Sequence, residues 1–154
     1  MLKPLYVGPY TFRDMIEGGY LYVDKTKWIY ELVKYPKGVY FLSRPRRFGK
    51  SLLISILREL FLGNRALFKG LWIEQTDYQW NMYPVIHINF SLMPVNNAQE
   101  LEESLKKEVN LIAEREQLTL SDGLLAQQFR ELIYKLSAKG QVVILIDEYD
   151  KPLM

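Results

Sequence analysis

The sequence has no cysteine and a single histidine, His87. Without thiols it can form neither a disulfide framework nor a thiolate zinc site, and one imidazole cannot build a histidine metal cluster. No apolar run approaches the roughly 20 residues that cross a bilayer, and the start, Met1-Leu2-Lys3-Pro4-Leu5-Tyr6, has no signal-peptide core. The expectation is a cytoplasmic protein with no membrane partner. Repeats, low-complexity tracts and Ser/Gly-rich linkers are also missing, so the chain reads as one unit.

What is present fits a soluble globular chain: 154 residues, 49% hydrophobic and 25% charged, with a net charge of +2. The charge is uneven, with residues 1 to 77 at +6 (13 Lys/Arg, 7 Asp/Glu) and residues 78 to 154 at −4 (7 against 11). Much of the positive excess sits in one place, Arg44, Arg46, Arg47 and Lys50, which suits a local anion site better than a general basic face.

Periodicity supplies the elements. Thr11 and Asp24 are candidate helix N-caps, the second opening a helix from Lys25 to about Lys34 with Trp28, Ile29, Leu32 and Val33 on one side. Val39-Tyr40-Phe41-Leu42 reads as a buried strand. A helix follows the loop from Ser43 to Gly49, its apolar face built from Leu52, Leu53, Ile56, Leu57, Leu60 and Phe61 and its end marked by Gly63-Asn64. Val85 to Phe90 reads as a second strand, then come helices from about Ala98 to Gln117 and from Ser121 or Asp122 to Ala138. Val142 to Ile146 runs apolar on both faces, as an interior parallel strand covered by helices on both sides would. Strands alternating with helices give an α/β class. His87, among apolar neighbours, reads as a packed or hydrogen-bonded histidine.

Two motifs carry chemistry. Gly49-Lys50-Ser51 stands where a loop enters a helix, and there free backbone N–H groups and the positive end of the helix dipole attract phosphate. Gly lets the backbone approach, Lys reaches terminal phosphate oxygens, and Ser can join a Mg²⁺ shell. Counting back, Arg44 occupies the place of the first glycine of the usual G-x-x-x-x-G-K-[ST] loop. The second motif is an apolar strand ending in Asp147-Glu148, an arrangement that holds Mg²⁺ and orients an attacking water. Both motifs are expected at the carboxyl edge of one sheet. For Arg46 and Arg47 the same reading leaves open nucleotide phosphate, a solvated loop or nucleic-acid phosphate.

The run Ser43-Arg44-Pro45-Arg46-Arg47-Phe48-Gly49-Lys50-Ser51-Leu52 resembles the phosphate-loop signature of the predicted AAA-ATPase family, in which this form without the first glycine is usual. The resemblance continues through Tyr22-Val23-Asp24-Lys25-Thr26, Leu67-Phe68-Lys69-Gly70-Leu71-Trp72-Ile73, Tyr83-Pro84-Val85-Ile86 and Leu145-Ile146-Asp147-Glu148-Tyr149-Asp150-Lys151-Pro152. It implies a P-loop NTPase three-layer sandwich with a parallel sheet, residues 1–37 forming a helical segment and 38–154 the core through the Asp-Glu strand. It implies ATP and Mg²⁺ as ligands, with Arg46, Arg47, Phe48, Gly49, Lys50, Ser51 and Leu52 at the nucleotide, Ser51 and Asp147 at the metal, and Glu148 as the catalytic base. Asn89 stands where members usually carry an acid.

Family members run further, commonly into a nuclease-like domain through which nucleic acid would be met. The chain is therefore expected to be the first part of an ATPase domain, cut after the Asp-Glu strand. It would bind nucleotide but hydrolyse it negligibly, and would associate with itself through open sheet edges. Two other classes stay open: a nucleic-acid-binding module built on the arginine loop, and a non-catalytic interaction domain that keeps the fold.

Overall fold

Thr11 is a short polar residue of the type that helix starts favour. As expected, its hydroxyl accepts the Asp14 N–H at 3.2 Å, and helix α1 (Phe12–Glu17) follows. A computed structural model describes residues 3–5, 8, 11–35, 38–45, 48–94 and 97–151 of the chain. They fall into two compact units, one ending at Met82 and the other beginning at Tyr83.

In the first unit Asp24 caps by an unexpected route. Helix α2 spans Thr26–Val33, one residue later than the sequence suggests, and Lys25 at its cap position makes no side-chain hydrogen bond. Asp24 Oδ1 instead accepts both the Thr26 N–H, at 2.8 Å, and the Thr26 hydroxyl, at 2.7 Å. Of the residues expected to share the buried side, Ile29 is buried and Trp28 is exposed. Neighbours in sequence stand about 100° apart around a helix, so a narrow buried stripe holds one of the two and leaves the other outside.

Helix α3 (Lys50–Phe61) buries Ile56, Leu57 and Leu60, as its apolar repeat predicts. Phe12, fully buried, packs its ring against Phe68 at 4.8 Å and Tyr22 at 5.2 Å, and its N–H donates to Ser55 Oγ at 2.9 Å. Glu59 is only 3% exposed yet charged; Arg13, Arg58 and Asn64 donate to its carboxylate at 2.7, 3.0 and 2.6 Å. Those bonds offset the desolvation of the charge and fasten α1 to α3. Two 3-10 turns, Arg65–Phe68 and Trp72–Gln75, complete the unit.

The strand expected at Val39–Leu42 does not form. Residues 38–45 have no regular structure, and Val39, Tyr40, Phe41 and Leu42 are all exposed. A strand, unlike a helix, cannot satisfy its own N–H and C=O groups, and among the described residues the only sheet is the pair in the second unit.

That pair consists of β1 (Val85–Asn89) and β2 (Val143–Asp147), parallel and in register from Val85 opposite Val143 to Asn89 opposite Asp147. Between them run α4 (Ala98–Arg115), capped by Asn97, whose side chain accepts the Glu100 N–H at 2.9 Å, and α5 (Leu125–Ser137). Helix α5 starts later than Ser121 or Asp122. Ser121 is engaged elsewhere, donating from its N–H and hydroxyl to Glu131 at 3.0 and 3.3 Å. Val109, Ile112, Leu132 and Leu136 cover Ile86 and Ile88 of β1. The expectation that helices cover both sides of the Asp-Glu strand fails: Ile144 and Ile146, paired with Ile86 and Ile88 and so on the same face, are exposed. The buried cluster formed with α4 and α5 includes Ile86 and Ile88 of β1 and no residue of β2. His87 is half-buried opposite Leu145.

The class is thus α/β, with a small parallel sheet. Among the described residues no helix is long and apolar enough to cross a membrane.

Candidate functional site

Gly49 precedes α3 in the left-handed region, with φ +75° and ψ 22°. A Cβ there would meet nothing within 4 Å, so glycine is needed for the turn itself and not for space. The turn starts the helix at Lys50, and the first helical bond is Leu53 N–H to the Gly49 carbonyl at 3.0 Å. The N–H groups of Lys50, Ser51 and Leu52 thus have no acceptor within the helix, and no side chain caps it. This is an end that attracts an anion.

Lys50 bends back over the loop and its Nζ donates to the Arg44 carbonyl at 3.0 Å. The lysine is therefore held beside the helix start by a neutral acceptor that a phosphate oxygen would outcompete. Ser51 is exposed in the first turn, and Leu52 is half-buried behind it. The loop joins irregular chain to a helix, not a strand to a helix. Arg46 and Arg47 lie outside the described residues; Arg44 and Lys50 are the described part of the basic cluster.

A groove of about 630 Å³ opens between α2 and the start of α3. Trp28, Ile29 and Leu32 of α2 line it together with Phe48, Gly49 and Leu52 around the start of α3, and Lys25 and Arg44 add positive charge. Tyr22 also lines it, and its hydroxyl is buried without a hydrogen bond of ordinary geometry. Burial pushes that phenol up to about 12, with the Lys25 backbone N–H acting the other way and the Asp24 charge adding to the rise. Tyr22 stays neutral.

In the second unit Asp147 ends β2 and is 4% exposed, its Oδ1 accepting the Glu148 N–H at 3.0 Å. Glu148 comes next with φ +53°, a left-handed conformation that costs a side-chain-bearing residue about 1–2 kcal/mol. A turn closes with Lys151 N–H donating to the Glu148 carbonyl at 3.1 Å. The Lys151 ammonium donates to the carbonyls of Ser91 and Met93 at 2.8 and 3.1 Å, tying the turn to the segment after β1. Lys50 and Ser51 belong to the first unit, Asp147 and Glu148 to the second. Among the described residues no group of three or more His, Asp or Glu could hold a metal. Mg²⁺ commonly takes only one or two carboxylates plus phosphate oxygens and water, and Asp147 offers one buried carboxylate at the end of β2.

Periodicity does not reveal the contact between Asp24-Lys25-Thr26 and Trp72-Ile73. Asp24 Oδ2 accepts the Trp72 N–H at 2.7 Å, and Thr26 Oγ1 accepts the Ile73 N–H at 3.1 Å. Two stretches that share in the family resemblance, far apart in the chain, are thereby one structural clamp. Trp28 likewise stands outside the core that the apolar pattern assigns it to; its adjacency to Ile29 is the available signal.

A family model described as predicted AAA-ATPase matches residues 6–154. A protein of Azotobacter chroococcum mcd 1, described as an uncharacterized protein in the vnfD 5' region, is 40% identical over 157 residues, covering 99% of this chain and 30% of that protein. The chain thus spans under a third of the length of that curated relative. No solved structure matches it.

Proposed function

Because this chain belongs to the predicted AAA-ATPase family, we propose that it binds ATP with Mg²⁺ at the loop opening α3, as the nucleotide-binding part of an ATPase. The observation that carries this is the left-handed Gly49 delivering Lys50 and Ser51 to a helix start whose N–H groups have no helical acceptor. The N–H groups of Lys50, Ser51 and Leu52 would cradle phosphate oxygens. Lys50 would exchange the Arg44 carbonyl for the β- and γ-phosphates, and Arg44, Arg46 and Arg47 would add positive charge. Phe48 and Leu52 would flank the nucleotide.

Mg²⁺, when bound, would neutralise charge building on the β- and γ-phosphate oxygens. Ser51 and Asp147 are the residues that would hold it. Glu148, the proposed base, would orient a water toward the γ-phosphorus and take its proton.

The test is calorimetric titration of the folded chain with Mg·ATP. Lys50→Ala should weaken binding tenfold or more, the loss expected for a charge-assisted contact of roughly 1.5 to 3 kcal/mol. Unchanged affinity would refute the proposal. Salt-dependent DNA binding lost on replacing Arg44, Arg46 and Arg47, with no response to ATP, would favour the nucleic-acid module.

A further inference from the structure

A phosphate loop accounts for the anionic end of a nucleotide and leaves its base without a place. The groove between α2 and α3 begins where that loop ends, since Phe48, Gly49 and Leu52 line it. Its volume of about 630 Å³ falls in the 300–1,000 Å³ range of small-ligand sites, which are mostly apolar with a few polar groups.

The aromatic residues of this unit divide into two kinds. Phe12 packs with Tyr22 and Phe68, and Tyr30 with Trp72, so those rings are committed to the fold. Trp28 and Phe48 have no such ring partner among the described residues, and they are 72% and 63% exposed. They come from different elements, one from α2 and the other from the residue before Gly49, and both line the groove. An exposed indole and phenyl in the lining of one groove offer π-surfaces to a flat heterocycle.

The geometry points to this groove as the nucleobase subsite, with Trp28 and Phe48 as the stacking residues that make the chain bind a nucleoside triphosphate in preference to a bare polyphosphate. The inference rests on the phosphate-loop reading above for where the phosphates sit. Lys25 and Arg44, also in the lining, suit the polyanionic end of such a ligand. Tyr22, in T-shaped contact with Phe12, also lines the groove and adds no charge to it. Stacking is tolerant of base identity, so the site should discriminate base from no base more strongly than one purine from another.

The 154-residue chain is titrated with Mg·ATP and with Mg·tripolyphosphate. Wild type should bind ATP about tenfold more tightly than tripolyphosphate. Trp28→Ala and Phe48→Ala should each weaken ATP by about five- to tenfold and leave tripolyphosphate unchanged, while Trp28→Phe retains most of the ATP affinity. Both positions are exposed, so folding should survive, as far-UV circular dichroism would verify. ATP affinity unchanged in both alanine variants, or equal loss for both ligands, overturns the inference. The two readings fail separately. Lys50→Ala should weaken both ligands; if it weakens neither while Trp28→Ala still weakens ATP, the phosphate assignment falls and the base groove stands.

Discussion

Glu148 sits in a backbone conformation that a side chain resists, at φ +53° and directly after the buried Asp147. Such strain persists when the surroundings impose it, and it gathers at functional positions. Glu148→Gly should therefore raise stability in urea by up to about 1 kcal/mol, the relief of left-handed strain less the added freedom of glycine in the unfolded chain. In a longer protein with turnover, the same change should abolish it. A stability loss on substitution would mean that the carboxylate holds the turn together. Asp147-Glu148 was legible as a motif because its composition announces it. The left-handed turn was not, since no residue there advertises positive φ as Gly49 does. Glu59 was equally hidden, because a charge among leucines reads as solvent-facing until Arg13, 46 residues away, is seen to meet it.

Among elements, the Asp24 clamp sets how α2 is seated on the Trp72–Gln75 turn. Burial pushes the Asp24 carboxyl up, but the Trp72 N–H and the hydroxyl and N–H of Thr26 together outweigh it and hold the group below its ordinary value of 3.8. A carboxyl lowered in the fold stabilises the fold fully above its unfolded pKa and loses that contribution as pH falls through the folded one. The stability advantage of wild type over Asp24→Asn should be constant near neutrality and shrink below about pH 4. A difference that does not change with pH in acid denaturation series would contradict the clamp. Helices α3, α4 and α5 were readable because their hydrogen bonds are internal and their apolar repeat alone chooses the buried face. Strand pairing depends on what lies alongside. Val85–Asn89 and Val143–Asp147 have each other, whereas Val39–Leu42 has strand-forming residues and no strand beside it among the described residues. The uncovered Ile144 and Ile146 have the same origin, since composition shows that a strand is apolar and not how far a helix layer extends.

For the molecule as a whole, family membership was legible from contiguous residues, whereas the groove between α2 and α3 and the Asp24 clamp come from segments far apart in the chain. Five hydrogen bonds among the described residues of the first unit bridge 43 to 48 residues: Phe12 to Ser55, Arg13 to Glu59, Tyr30 to Asp77, Trp72 to Asp24 and Ile73 to Thr26. All five span the exposed stretch 38–45, joining residues on its N-terminal side to residues on its C-terminal side. A protease should cut there first, because exposed chain without regular hydrogen bonds is the preferred site of nicking. On limited digestion, two pieces should appear under denaturing conditions while a single species persists in native gel filtration. Prompt separation of the pieces would show the bridges to be too weak. Covalent continuity at that stretch is then dispensable, and this unit becomes a natural place to divide the gene into two complementing halves.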